Sequence, residues 1–223
     1  APALQELGAI EFNRFTGRKV SCLPRILNQL NYQTIASNAV KPSYFNSLLA
    51  YQGIGFTETH FPREYYSNQN SYLRTEGAEQ LFDGDLFQQN IQFLKNRLPV
   101  KQPLLNYVVG IYGHAPHELD PTRHPLSIIA SVEGQDVDEA LQRVVNQFHY
   151  RSKALFNYLQ QLIRMDPDSL IIVIGDHLPK LTDGKANYTK YHYLENKPDA
   201  EYFPGLYVFR DGQPISIAQE MHH

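Results

Sequence analysis

The chain has 223 residues, 42% hydrophobic and 19% charged, with a formal net charge of −3. That balance belongs to a folded globular protein and excludes a disordered one. A weakly negative chain without a Lys/Arg stripe also excludes a nucleic-acid partner on electrostatic grounds. The single cysteine, Cys22, rules out an internal disulfide and leaves the compartment open. No run approaches the ~18 apolar residues of a membrane span, and no signal peptide opens the sequence. The opening "APALQELGAIEF" reads as a processed or trimmed end, and the length suits one sizeable α/β domain spanning 1–223, or at a stretch two small ones.

The first element in chain order is a short helix within "SCLPRILNQLNYQ", with Ser21 as its N-cap and Leu23, Ile26, Leu27 and Leu30 as apolar positions. A short strand follows at 34–37. A second helix is expected at 44–51, stopped by Gly53. "DGDLFQQNIQFLKNRLP" reads as a helix capped by Asp83 or Asp85, with Leu86, Ile91 and Leu94 on one face and Pro99 as terminator. The "DGD" lacks the remaining spacing of a calcium loop, so a helix N-terminus accounts for it better.

The run "LLNYVVGIY" at 104–112 is continuously apolar, which predicts a strand buried on both faces, as in a parallel sheet. Apolar residues recur at helical period over 137–165, from Val137 and Leu141 through Val144, Phe148, Leu155, Tyr158 and Leu162. His149 and Arg151 fall on the polar face of that helix. "SLIIVIGDH" gives a second continuous strand at 170–175, and 203–212 a third, at an edge. Segments 58–80 and 182–201 have little period and read as long loops. Strand, helix, strand, helix, strand predicts an α/β fold with a mostly parallel sheet flanked by helices.

Two strand ends concentrate the chemistry. The first strand runs into "GHAPHEL" and the second into "DHLP". Open α/β sheets bind ligands outside the carboxyl ends of their strands. If the two strands are parallel neighbours, His114, His117, Glu118, Asp176 and His177 crowd one rim. Asp176 and His177 would then be ligands of Zn²⁺ or Mn²⁺, although two ligands do not complete such a site. His192, in the loop "NYTKYHYLENKP", is a further candidate for the rim. Read without context, an Asp-His pair after a strand is a turn beside a half-buried histidine, and histidines in turns are simply solvated. Two such clusters ending two separate strands favour a shared metal or phosphate site.

The stretches "SCLPRILNQLNYQTIASNAVKPSYFNSLLAYQGIGF", "GHAPHEL", "HYRSKALFNYLQQL" and "DSLIIVIGDHLPKL" together resemble the sulfatase-like branch of the alkaline phosphatase superfamily. Within it they are most similar to lipoteichoic acid synthases and phosphoglycerol transferases. The resemblance covers roughly 20–180, and its sharpest element is the Gly-Asp-His tripeptide. It implies Asp176 and His177 as metal ligands and His114 as a contact to the phosphate or head group. It also implies that the stretch 38–47 lines the substrate pocket. There Asn38 stands where the synthases have His, Phe45 where they have Trp, and Ser47 where they have Arg, which removes a bidentate phosphate clamp. "CLPR" looks like the Cys-x-Pro-Ser-Arg signature of sulfatases, but Arg25 stands where Ser should be, and the stretch reads as a helix start.

The family places a Thr or Ser nucleophile and one further acidic ligand upstream of "SCLPRIL". Only about twenty residues precede that motif here, with Thr16 and Glu11 among them. The expectation is a piece of a longer protein, incomplete at its N-terminus and without an evident nucleophile. For the intact protein the resemblance implies covalent transfer, in which a metal-activated hydroxyl attacks phosphorus or sulfur. The head group, phosphoglycerol or phosphoethanolamine, then passes to a cell-envelope glycan or lipid. The same resemblance implies an extracytoplasmic location, membrane-anchored through segments outside this chain. Two other readings stay open: a sulfatase or phosphodiesterase hydrolase, and a non-catalytic domain of the same fold that holds an anionic glycan.

Overall fold

A computed structural model describes residues 19–62, 82–97, 102–115, 117–183, 185–192 and 205–215. The chain divides into two compact units, Ala1–Tyr112 and Gly113–His223.

The first unit contains α1 (Leu23–Gln29), β1 (Gln33–Asn38), a 3₁₀ turn (Tyr44–Asn46), α2 (Ser47–Ile54), β2 (Glu58–His60), α3 (Asp83–Lys95) and β3 (Leu104–Val109). Its sheet is parallel, in the order β2-β1-β3, with Ile35 opposite both Glu58 and Asn106. Strand alternation puts Ala36, Leu105 and Tyr107 on one face. Tyr51 and Phe56 cover that face: Tyr51 meets Phe56 edge-on at 5.6 Å, and Phe56 stacks on Tyr107 at 5.5 Å. The opposite face is polar at its centre. Asn90 of α3 donates to Ser37 Oγ and to Asn106 Oδ1, both at 3.0 Å, and Asn106 returns a bond to Asn90 Oδ1. His60 Nδ1 lies 3.3 Å from Ser37 Oγ, and its ring stacks on Phe93. A buried polar set of this kind is tolerable because its members satisfy one another.

Local chemistry explains the element ends. Helix α2 runs past Gly53 to Ile54 and stops at Gly55, whose φ of 103° lies in the left-handed region. A side chain there would also strike Arg25, with Cβ atoms 2.9 Å apart. Helix α1 is flanked by Cys22, not Ser21, and has no side-chain cap; Pro24 in its first turn fixes φ instead. Arg25 of "CLPR" donates to the carbonyls of Val20 and Gly53, a structural tie. Helix α3 begins after Phe82 with neither aspartate as its cap. Asp83 is turned elsewhere. Its buried carboxylate accepts the Ile111 and Tyr112 amides at 2.9 and 3.1 Å, just beyond β3.

The second unit contains the hairpin β4 (Ser131–Val132) and β5 (Gln135–Asp136), then α4 (Glu139–Met165), β6 (Ile171–Ile174), α5 (Lys185–Lys190), β7 (Leu206–Arg210) and β8 (Gln213–Ile215). Asp138 caps α4, accepting the Leu141 amide at 2.8 Å. The same carboxylate receives Asn187 and Tyr191, which seats α5 against the start of α4. The polar face of α4 grips the extended segment before the hairpin. Asn146, fully buried, accepts the Ser127 and Ile128 amides at 2.9 Å and donates to the Ile128 carbonyl at 2.8 Å. A side-chain amide thus stands in for a neighbouring strand.

The α/β architecture, with a parallel sheet and flanking helices, agrees with the sequence expectation. Several details do not. The strands expected to be parallel neighbours lie in different sheets: β3 edges the parallel sheet, and β6 edges an antiparallel one ordered β6-β7-β8. Neither is buried on both faces, for Tyr107 is 45% exposed and Ile172 and Ile174 are 58% and 67% exposed. Continuous hydrophobicity records what a strand is able to bury, whether or not a layer covers it. The strand expected at an edge, β7, is central. Helix α5, β2, β8 and the β4–β5 hairpin were not expected. The two-residue turn of that hairpin, Glu133 and Gly134, has positive φ at both positions, as a primed turn requires. Pro99, Glu11 and Thr16, like most of the expected 58–80 loop, lie outside the described residues.

Buried polar groups of this kind should register in unfolding measurements. Asn146→Ala strips partners from two amides and a carbonyl, so it should cost about 2–4 kcal/mol in denaturant unfolding. Burial, and then the Arg97 guanidinium, pull the His60 imidazole from 6.5 down to about 4. His60 is then neutral in the fold while its unfolded counterpart takes up a proton. Stability should fall as pH drops from 6.5 toward 4, by about 1 kcal/mol per unit. His60→Gln should flatten that slope; an unchanged slope would assign it to other groups.

Candidate functional site

The candidate residues divide between the two units. In the first, Asn38 ends β1 and is buried. It donates to the Tyr51 hydroxyl at 2.7 Å and accepts the Val40 amide at 3.2 Å. Burial, then the charge of Tyr107, raises the Tyr51 phenol, and the Asn38 bond works against them. Ser47 opens α2, buried, with its hydroxyl donating to the Tyr44 carbonyl at 2.6 Å. Phe45 has a φ of 50° and packs on Tyr44 with ring centroids 4.2 Å apart. Left-handed backbone at a bulky residue is held at a cost and marks a shaped turn. Asn38 and Ser47 are therefore internally bonded groups, and Phe45 presents a half-exposed ring.

In the second unit, His114, Asp176 and His177 are exposed at the ends of their segments. The two exposed histidines share one geometry. His114 Nδ1 donates to the carbonyl of Ala115 at 2.6 Å, and His177 Nδ1 to that of Leu178 at 2.8 Å. A carbonyl only accepts, so the proton of each neutral ring sits on Nδ1 and the lone pair on Nε2. His177 Nε2 lies 3.5 Å from Asp176 Oδ2. Asp176 Oδ1 in turn accepts the His177 amide at 2.8 Å, which holds the carboxylate beside the ring.

That donor pair fits a divalent cation. Two ligand atoms ~2.0–2.1 Å from a tetrahedral ion stand roughly 3.3 Å apart, and the Asp176–His177 separation is close to it. The bond from His177 Nδ1 to a carbonyl is the outer-shell contact that orients metal-ligating imidazoles. Among the described residues no three His, Cys, Asp or Glu side chains gather closely enough to hold a metal ion. Asp176 and His177 by themselves supply two donor atoms, fewer than a zinc or manganese site takes.

His117 takes a different position from its neighbours. It is only 7% exposed. Its Nε2 donates to the carbonyl of Lys180 at 2.7 Å, and its Nδ1 lies 2.9 Å from Gln147 Oε1. Gln147, buried on α4, donates to the Glu118 carbonyl at 3.1 Å. One ring therefore ties the segment after His114 to the segment after His177, and both to α4. His192 is exposed just past α5, with a φ of 55° and its amide on the Thr189 carbonyl. The sequence placed His117 on the rim beside His114 and gave no role to Gln147, whose only signal was a polar residue within α4.

The chain belongs to the Sulfatase family, whose model matches residues 3–221. Lipoteichoic acid synthase LtaP from Listeria monocytogenes has a similar structure, with a TM-score of 0.72 at 18% identity over 89% of this chain and 48% of that one. Phosphoglycerol transferase GacH from Streptococcus pyogenes, solved with sn-glycerol-1-phosphate, matches with a TM-score of 0.57 at 17% identity over 84% of this chain and 46% of that one. The C-terminal periplasmic domain of EcEptC from Escherichia coli, solved with Zn, gives 0.52 at 13% identity over 70% and 42%. At such identities these likenesses establish the fold. The chain spans about half the length of each. No curated protein sequence matches it.

Replacing His117 by Phe keeps ring volume and removes the Lys180 bond and the Gln147 contact. Amide hydrogen exchange should then quicken at 113–118 and 176–181 while β1 and β3 keep their protection. Unchanged exchange in those two segments would show that His117 is not what fixes them.

Proposed function

We propose that the chain is part of a metal-dependent phosphotransferase or hydrolase of the alkaline phosphatase superfamily. Its reaction moves a phosphoglycerol or phosphoethanolamine head group onto a cell-envelope glycan or lipid. The observation that carries this reading is the His117 tether, which joins the segment bearing His114 to the segment bearing the Asp176–His177 pair. The family match supports the chemistry, and the glycerol phosphate and zinc named with GacH and EcEptC support the substrate class and the cofactor.

Asp176 and His177 would hold the cation, Zn²⁺ or Mn²⁺, and such an ion would supply neutralising charge to the non-bridging oxygens of the reacting group. The bond from His177 Nδ1 to the Leu178 carbonyl leaves the Nε2 lone pair as the atom His177 would offer to the ion. His114, its Nδ1 fixed on Ala115, has the Nε2 lone pair facing solvent and is suited to move a proton at the leaving or accepting oxygen. The resemblance implies that a further acidic ligand and a Thr or Ser nucleophile would complete the site. The reading places the full-length protein outside the cytoplasm, anchored to a membrane through other segments. No helix among the described residues is long and apolar enough to cross one.

One observation favours a second reading, hydrolysis or simple binding of an anionic glycan. Asn38 and Ser47 stand where the resemblance implies His and Arg, and both are turned onto internal partners. Metal analysis and chromogenic phosphodiester and sulfate-ester assays on the full-length protein separate the readings. The proposal expects a stoichiometric bound cation and turnover of the phosphodiester. Asp176→Asn should then lower kcat/KM by more than the roughly 10–100-fold that loss of an outer-shell partner costs. A metal-free protein without turnover would leave only the binding reading.

A further inference from the structure

Position 47 lacks the guanidinium that a phosphate-handling site of this family is expected to carry, and Ser47 is buried on a carbonyl. The second unit holds an arginine placed to supply one. Arg151 projects from α4 toward Gly113, the residue immediately before His114. A Cβ built on Gly113 would lie 2.0 Å from Arg151 Nη1 and 2.9 Å from its Cζ. The guanidinium therefore rests directly on the Gly113 backbone, a place open to it only because residue 113 has no side chain. The φ of Gly113 is not in the left-handed region, so backbone conformation alone does not require glycine there. Close approach does.

Neighbours fix the fork in this position. Phe148, one turn earlier on α4, lies under the guanidinium with Cζ 5.5 Å from the ring centroid. Tyr150 anchors the adjoining helical position by donating to the Pro125 carbonyl at 2.8 Å. Arg151 is half-buried while His114 is exposed. A partly desolvated guanidinium resting on the residue that precedes His114 is suited to an incoming oxyanion. Its planar donors match two oxygens of a tetrahedral phosphoryl or sulfuryl group.

We propose that Arg151 is the anion-clamping residue of this site, taking the non-bridging oxygens of the transferred group beside His114 in the role that position 47 does not fill. The inference rests on the phosphate-transfer reading above and adds the residue that recognises the group. It assigns Gly113 a function as well, as the gap through which the guanidinium reaches the rim.

The test uses the full-length protein loaded with its cation and inorganic phosphate as the probe. Phosphate affinity is measured by calorimetry and by competition against a chromogenic phosphodiester. Arg151→Ala should weaken phosphate by about tenfold or more. It should raise KM for the ester and leave the cation content unchanged. Arg151→Lys, which keeps charge and loses the fork, should recover only part of the affinity. Gly113→Ala should mimic Arg151→Ala, because its methyl group evicts a guanidinium that is still present. The double variant should be no worse than Arg151→Ala alone. Wild-type turnover with phosphate affinity unchanged in Arg151→Ala overturns this inference and leaves the phosphotransferase reading standing, as does a double variant whose losses add. A wild-type protein that neither turns over the ester nor binds phosphate overturns both.

Discussion

A single buried imidazole ties together the two segments that carry the candidate residues of the second unit. His117 donates to the Lys180 carbonyl through one ring nitrogen and meets the Gln147 amide oxygen through the other. The sequence distance spanned is large, 63 residues between His117 and Lys180. The reach in space is one ring. His114 precedes this anchor by three residues, and His177 precedes Lys180 by three. Exposed side chains on loops have no fixed relation unless something buried fixes their backbones. Here the buried group lies between them, and α4, the longest helix described, serves as its base.

The same device recurs along α4. Asn146 and Gln142 bond the backbone of 127–130, and Asp138 receives Asn187 and Tyr191 from α5. Side-chain amides and carboxylates substitute for sheet neighbours, so irregular chain is held as firmly as a strand. The first unit uses the principle inside its core, where Asn90 bridges Ser37 and Asn106 across two strands. Such bonds are modest singly, and their strength lies in the cost of leaving any partner buried and unmade. This accounts for how a chain with only 19% charged residues fixes irregular backbone through neutral side chains.

Helices α3 and α4 and the strands β1, β3 and β6 were legible in the sequence because apolar period and terminal Gly, Pro or Asp state them locally. The Gly-Asp-His ending of β6 and the His-x-Pro after β3 marked the exposed chemistry for the same reason. Sheet order was not legible: a continuous apolar run in β6 suggested a parallel neighbour, and its partner is antiparallel β7. Nor was the division between reaching and tying histidines. His117 meets residues 30 and 63 positions away while His114 meets the next carbonyl, and spacing within "GHAPHEL" carries no trace of Gln147 or Lys180. Arg151 looked like an ordinary surface cation until the absent side chain at Gly113 gave it a place.

If His114 and the Asp176–His177 pair open onto one mouth, a paramagnetic ion held by the pair must broaden the His114 ring resonances. The decisive experiment adds Mn²⁺ to the full-length protein and follows those resonances, with diamagnetic Zn²⁺ as the comparison. A shared mouth gives selective loss of the His114 signals at substoichiometric Mn²⁺, abolished by Asp176→Asn. Sharp His114 resonances in a protein saturated with Mn²⁺ at Asp176 and His177 would show that the two segments serve separate places.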